Sequence, residues 1–424
     1  MNRSRVELGL RQNLAQFSLL VAVNVLVGAM VGLERSTLPL IGREDFGLGS
    51  SVAVLSFIVA FGLAKSVTNL GAGALAERLG RRRLLIAGWL LALPVPALVA
   101  VAPSWAWIVV ANALLGVNQG LAWSMTVVMK IDLVGPERRG LALGLNEAAG
   151  YGGLAAAAAL SGWLAGELVA RDVLVVAGFV IAIAALLISL LFVRDTGSHV
   201  ALEQARHHEG ADLHPPRLRS AFPAATYRDP ALRSCSQAGL VNNLNDALAW
   251  GLVPLFLASE GGGAREIGLI AGLYPAIWGI GQIWTGHWSD RVGRKPLIVA
   301  GMMVQAGALL LLAASGGAIG LAAIAAIALG VGTALVYPTL IAAISDAVTP
   351  VARAATVGVY RFWRDMGYVA GGLLAGLLAD AIDFSAAIEI VAALTAASGV
   401  WVLLDMPKHV PLHPPVASRE QLAS

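Results

Sequence analysis

The sequence predicts an all-α polytopic membrane protein: twelve transmembrane helices in two six-helix bundles related by a pseudo-twofold axis. Three observations carry that prediction. The 424 residues are 58% hydrophobic and 13% charged, with a mean hydropathy of +0.76, whereas a soluble domain is roughly 45–50% apolar and about 25% charged. Apolar stretches of the length needed to cross a hydrocarbon core, about 20 residues each, recur along the whole chain. Landmarks of the first half also reappear in the second at an offset of 213 or 214 residues. The composition excludes a water-soluble enzyme. The single cysteine, Cys235, excludes a disulfide framework or a thiolate metal cluster.

The first apolar stretch, roughly 15–40, follows Arg3, Arg5 and Arg11. It is too long for a signal peptide and lacks a small-residue cleavage site, so it reads as a retained first helix. Stretches at roughly 50–75, 84–103, 105–130, 140–165 and 173–193 complete a first six. The second six fall at roughly 233–258, 267–288, 297–315, 318–345, 354–378 and 384–404. This gives an N-terminal bundle over 1–193, a linker over 194–232, a C-terminal bundle over 233–405 and a tail over 406–424. The linker is hydrophilic and carries His199, His207, His208 and His214. An exposed polar connection is the simpler reading of those histidines, and metal sensing the alternative.

Of the 29 basic residues, 22 fall on the side of the termini, three (Arg43, Arg171, Arg265) on the opposite side and four within spans. The positive-inside rule then places both termini in the cytoplasm of a multi-pass protein of the cell inner (plasma) membrane.

The internal repeat is specific. Gly73-Ala-Leu-Ala-Glu77-Arg78-Leu-Gly80-Arg81-Arg82 realigns with Gly286-His-Trp-Ser-Asp290-Arg291-Val-Gly293-Arg294-Lys295 at an offset of 213. One residue further, at 214, Asp132, Pro136, Arg139 and Gly144 fall on Asp346, Pro350, Arg353 and Gly358. These loop motifs, of the form Gly-x-x-x-Asp-Arg-x-Gly-Arg-Arg/Lys with Glu77 for Asp in the first copy, resemble those of the major facilitator superfamily, and the resemblance covers the whole chain. It implies twelve helices working as a secondary transporter, with a central site between the halves. It also implies that Gly73, Glu77, Arg78, Gly80, Arg81 and Asp132, with Asp290, Arg291, Gly293, Arg294 and Asp346, hold a cytoplasmic gate closed while the site faces outward. The chemistry suits that role, because a carboxylate among arginines at a helix end forms charge-assisted bonds and docks on a helix N-terminus. Topology alone is the plainer explanation of the basic loops. Two signatures of proton-coupled drug exporters are altered: Gly116 stands where an arginine precedes Gln119-Gly120, and Gly150-Tyr151-Gly152-Gly153 replaces a Gly-Pro-x-x-Gly-Gly run. The subfamily is not identified by these residues.

Eight ionisable residues lie inside the predicted spans: Glu34, Arg35, Lys65, Glu147, Asp246, Arg361, Arg364 and Asp365. Left uncompensated they cost on the order of 20–28 kcal/mol on an insertion scale, more than the roughly 5–15 kcal/mol that stabilises a typical fold. They are therefore expected to pair or to line water between the halves. On the eleventh span Arg361, Arg364, Asp365 and Tyr368 share one helical face. Arg361 lies about 11 Å and Arg364 about 15 Å into a core about 30 Å thick. An arginine fork at that depth matches carboxylate, phosphate or sulfate oxygens; a purely structural ion-pair network is the alternative. By spacing, Phe61, Lys65 and Asn69 on the second span map onto Tyr274, Trp278 and Gln282 on the eighth, giving a cavity cationic on one side and aromatic on the other. Asn112, Gln119 and Trp123, with Asn242, Asp246 and Trp250, add amides, an acid and indole donors, although such stripes are also ordinary packing.

Proton coupling needs a carboxyl that changes its charge between states. Glu147, which maps onto Arg361, and Asp246 are the candidates; Glu34, beside Arg35 near the outer end of the first span, is a third. The expected function is secondary active transport, by rocking-bundle alternating access, of a small solute carrying an anionic group and coupled to protons. A proton-coupled multidrug exporter for lipophilic or cationic compounds is the competing reading, and the balance of four cations and four acids also admits a zwitterion. No phosphate-cradling loop, metal motif or histidine within a span points to an enzyme or a cofactor. The expected partners are a small-molecule substrate, a proton or other coupling ion and the lipid bilayer, with no nucleic acid, on a chain working as a monomer.

Overall fold

A computed structural model of the chain describes residues 6–135, 139–207, 218–348 and 350–407. Among these residues there are helices and turns and no strand. The long helices are α1 (Leu14–Arg35), α2 (Ser51–Leu79), α3 (Arg81–Val101), α4 (Trp105–Val134), α5 (Arg139–Ala165) and α6 (Ala170–Leu191) in the first half. In the second half are α7 (Pro230–Ala247, continued through Leu248–Leu252 and Val253–Ser259), α8 (Ala264–Val292), α9 (Arg294–Ala313), α10 (Ile319–Ala347), α11 (Pro350–Ala381) and α12 (Phe384–Asp405). Among the described residues nine helices are apolar and long enough to cross a membrane. The other three long ones are α5, α7 and α11. They are rich in Ala and Gly (α5), in Asn beside Asp246 (α7), and in charge near the middle, Arg361, Arg364 and Asp365 (α11).

Several elements outrun their hydropathy. Helix α4 continues to Val134 and buries Lys130 and Asp132, two charges that an apolar window leaves outside. The first span breaks at Ser36 and Thr37, where the Ser36 hydroxyl donates to the carbonyl of Ala158 at 3.0 Å, and resumes as a short helix, Leu38–Glu44. Within α7 the turns widen to a π form over Leu248–Leu252, directly after Asp246; such bulges frequently accompany functional sites. The linker holds short helices at Gly197–His207 and Leu218–Pro223. His199 Nε2 sits 3.2 Å from Asn13 Oδ1, and burial pushes the ring below its ordinary pKa. His208 and His214 lie outside the described residues, as does the side chain of His207.

Glycines let the repeated loops turn in one residue. Gly80 (φ +89°) joins α2 to α3, and Gly293 (φ +97°) joins α8 to α9; a side chain at either position meets backbone strain. Asp195, after α6, accepts the backbone N–H of Arg82 at 3.0 Å and so ties the linker to the first of these loops.

The halves meet along two seams, α2 against α11 and α5 against α8. At the end away from the termini they are locked together. Asp380, at the end of α11, accepts from Ser50 Oγ (2.6 Å) and from the backbone N–H groups of Ser51 (2.5 Å) and Val52 (3.1 Å), capping α2 of the opposite half. Arg265 on α8 pairs with Glu167 beyond α5, and a Cβ on Gly162 would stand 2.5 Å from the Cα of Gly268. One apolar core cluster runs through both halves at this end. Toward the termini the buried apolar residues fall into one cluster in the first half and one in the second, the latter touched by Leu70 of α2. Gly73, Gly144 and Gly358 continue the inter-half faces of Asn69, Tyr151 and Asp365 in that direction, and a Cβ at any of them meets nothing within 4 Å. The two bundles are therefore sealed at one end and splayed at the end that carries the termini.

Close backbone contact within a half is equally demanding. A Cβ on Gly28 of α1 would overlap the carbonyl oxygen of Gly150 on α5. Gly28→Ala is expected to destabilise the first bundle by about 1–3 kcal/mol through overpacking. Gly307→Ala, where a Cβ meets nothing within 4 Å, is expected to be neutral or slightly stabilising. Thermal unfolding of the purified variants in detergent checks both; equal midpoints would refute the packing argument.

Candidate functional site

Between the halves, at the level where the sealed and splayed ends meet, lies a polar cavity of about 10 Å³, room for a single water at most. Its wall is formed by Lys65, Asn69, Trp123, Ser124, Tyr151, Tyr337, Arg361 and Arg364. Three cations and no carboxylate face it. The acids stand just behind the wall. Asp365 accepts from Arg364 at 2.8 Å, from Asn69 Nδ2 at 2.5 Å and from Asn243 Nδ2 at 3.4 Å, and lies 3.9 Å from Lys65 Nζ. Glu147 accepts from the indole N–H of Trp123 at 3.0 Å, from Asn146 at 3.1 Å and, across the seam, from the Tyr337 hydroxyl at 3.3 Å.

Arg364 is only partly engaged by its neighbouring acid. Its Nη1 donates to the Tyr337 hydroxyl at 2.5 Å, and its guanidinium lies 5.1 Å from the centroid of that ring. The sequence expectation left Arg361 and Arg364 either sealed in salt bridges or facing a central cavity; the structure gives Arg364 both. Arg361 forms no ion pair among the described residues and keeps a buried Nε without an acceptor. Lys65 rests among rings, 5.3 Å from the centroid of Tyr368 and 5.4 Å from that of Phe61.

A second polar cluster lies on the sealed side. Asp246 accepts from Tyr274 and, at 3.5 Å, from Tyr368. Arg35 is fully buried, and none of its three nitrogens has an acceptor among the described residues. The Phe61 ring at 4.5 Å, with Phe57 and Trp250 at 5.5 Å each, surrounds its guanidinium. Glu34, next to Arg35 in the chain, keeps Oε2 without a hydrogen-bond partner among the described residues.

Spacing places some candidates elsewhere. Gln119 turns into its own half, donating to the Val27 carbonyl at 3.0 Å, and Asn242 accepts from Gln305 at 3.0 Å; neither lines the cavity. One residue along a helix is a rotation of about 100°, and it is Asn243, not Asn242, that reaches Asp365. Trp278 is fully buried against Tyr151, centroids 3.6 Å apart, and Gln282 is buried with Nε2 unpartnered.

The gate residues pair inside each half. Arg81 Nε lies 3.2 Å from Asp132, which also accepts from Thr196 at 2.6 Å; Arg294 pairs with Asp346 at 2.9 Å. Among the described residues neither acid pairs across the seam. Arg78 and Arg291 are exposed, Gly73 borders open space, and the side chains of Glu77 and Asp290 lie outside the described ones.

Sequence reasoning passed over Tyr151, Ser124, Asn243, Tyr337 and Lys130. The repeat held a signal for two of them. An offset of 214 carries Trp123 onto Tyr337, which together clamp Glu147, and Tyr151 onto Asp365. Lys130 is wholly buried and donates to the Leu20 carbonyl at 3.4 Å.

A family model described as Major Facilitator Superfamily matches residues 14–233 and 236–423. An uncharacterized MFS-type transporter of Bacillus subtilis (strain 168), YddS, is 30% identical over 128 residues. That stretch spans 30% of this chain and 29% of that relative.

Replacing the Asp365 carboxylate by an amide leaves Arg364 buried with only neutral acceptors, the amide oxygen and the Tyr337 hydroxyl. Asp365→Asn is expected to cost about 3–5 kcal/mol, and the double variant Arg364→Gln/Asp365→Asn to recover much of it. A double-mutant cycle on thermal midpoints measures the coupling, and additive effects would show that the pair contributes nothing as a pair.

Proposed function

The chain belongs to the Major Facilitator Superfamily of membrane transporters, and from that premise we propose that it carries a small solute with an anionic group by rocking-bundle alternating access. One observation carries the reading: the cavity between the halves presents Lys65, Arg361 and Arg364 and no carboxylate. With Asp365 and Glu147 behind the wall, the local sum is one positive charge, which a bound monoanion cancels. A net charge held away from water is costly, so an oxyanion is the solute this wall accepts at least cost. Arg361, with its Nε unpartnered, is the first donor available to it, and Arg364 and Lys65 complete a three-sided clamp.

Under the positive-inside orientation, the splayed end faces the cytoplasm and both termini lie there. The state described above is then open inward and sealed outward by the Asp380 cap and the Arg265–Glu167 pair. The cavity is too small for a solute of several atoms, so loading requires the halves to shift. That shift breaks the Tyr337 bond to Glu147, because the two residues belong to different halves. Glu147 thereby loses a donor as the bundles move, which suits a carboxyl that gains and releases a proton during the cycle. Asp246, held by two tyrosine hydroxyls, and Glu34 serve as secondary acids on the outer side of the pathway. In the outward-facing state the basic loops come together at the cytoplasmic end, where Arg81, Asp132, Arg294 and Asp346 are already oriented by their partners within each half.

Anion flux into proteoliposomes tests this. Arg364→Gln is expected to reduce flux of the anion at least tenfold, and Glu147→Gln to leave exchange intact while removing the response to an imposed pH gradient. Efflux of lipophilic cationic dyes with no response to anions would overturn the reading and favour a drug exporter.

A further inference from the structure

The two inter-half seams are repeat mates, and the α5–α8 seam is hollow. Across α5 and α8 runs an apolar groove of about 420 Å³, lined by Ala, Gly, Leu and Ile. This lies within the range of ligand pockets, roughly 300–1,000 Å³. On α5 the groove is shaped by Ala148, Gly152 and Ala155; the matching positions of α11 hold Phe362, Met366 and Val369. On α8 it is shaped by Gly272 and Ala276, where α2 holds Val59 and Leu63. Met366 fills the equivalent space in the other seam and accepts from Ser66 at 3.5 Å. Helix packing does not require every one of these small residues, since a Cβ on Gly152 would meet nothing within 4 Å.

Only a pair of rings separates this groove from the cationic cavity. Tyr151 lines the cavity while its chain neighbour Gly152 lines the groove, and Tyr151 stacks on Trp278, whose neighbour Gly279 also lines the groove. A Cβ on Gly279 would lie 3.2 Å from the Cβ of Tyr151, so the root of that ring packs directly behind the groove's wall. Trp278 is wholly buried, and its indole N–H has no acceptor among the described residues.

We propose that the transported anion is an amphiphile with a single apolar tail, the tail lying in the α5–α8 groove while the anionic head reaches Arg361, Arg364 and Lys65 past the Tyr151–Trp278 pair. This rests on the anion reading of the same cavity. An alkyl chain partitions into the bilayer, more strongly with each added CH₂. Such a solute is therefore concentrated at the lipid face, where the groove opens, and the seam that separates as the halves rock is also its route to the site.

Methyl phosphate and octyl phosphate share a head and differ in the tail. Binding of each to the protein in nanodiscs, read by tryptophan fluorescence, is compared for wild type, Gly152→Phe, Ala156→Phe and Arg364→Gln. The expected result is at least tenfold tighter apparent binding of octyl phosphate to wild type. Both groove variants remove that preference without changing methyl phosphate, and Arg364→Gln weakens both ligands. A wild type with no tail preference, or a preference that survives both groove fillings, overturns the proposal while leaving the anion reading standing. Failure of either phosphate to bind wild type, or binding indifferent to Arg364→Gln, removes the anion reading and the proposal with it.

Discussion

A charge buried between helices in a bilayer has to be held by other protein groups, and most of this structure's interior can be derived from that requirement. Arg364 needs an acceptor, and Asp365 and the Tyr337 hydroxyl supply it. Asp365 in turn accepts from Asn69 of α2 and Asn243 of α7, so a single carboxylate draws both halves around α11. Glu147 does the same from α5, joining Trp123 of its own half to Tyr337 of the other. These bonds form the contact between the bundles at mid-depth. They involve few residues and directional geometry, so a modest displacement exchanges them, whereas the apolar core at the sealed end resists displacement over its whole area.

The duplicated chain uses equivalent positions for different chemistry. Lys65 faces Asp365 where the α2 and α11 seam crosses the middle, and the repeat mates of those two residues, Trp278 and Tyr151, stack as rings in the other seam. When the ion pair separates into water, hydration of each charge offsets the attraction between them. A ring stack is replaced by contact with lipid or solute of similar cohesion. The two seams therefore separate at different cost and expose different surfaces, one polar and one apolar. Symmetry of fold thus coexists with an asymmetric pathway. Arg35 extends the contrast on the sealed side, where aromatic faces take the place of a carboxylate.

Much of this was legible in the chain. The helices, their division into halves, the inter-half position of Lys65, Arg361, Arg364 and Asp365, and the loop motifs at Gly80 and Gly293 follow from hydropathy, helical spacing and the repeat. Spacing failed at Asn242 and Gln119, where a flexible amide can satisfy itself on either flank of its helix and the choice depends on the neighbour. It also missed Lys130, because a lysine at the end of an apolar window is indistinguishable from one that reaches water.

By itself, then, the sequence determined which segments enter the membrane and which charges enter with them, because transfer from water to lipid is a property of each residue and its window. What it left open was which groups those charges bond. It also left open which end of the bundle is sealed, and that the α5–α8 seam is hollow. These depend on distances between residues far apart in the chain, where a shift of about 1 Å or a rotation of one helical position decides whether a hydrogen bond exists. Only the folded arrangement of both halves sets those distances.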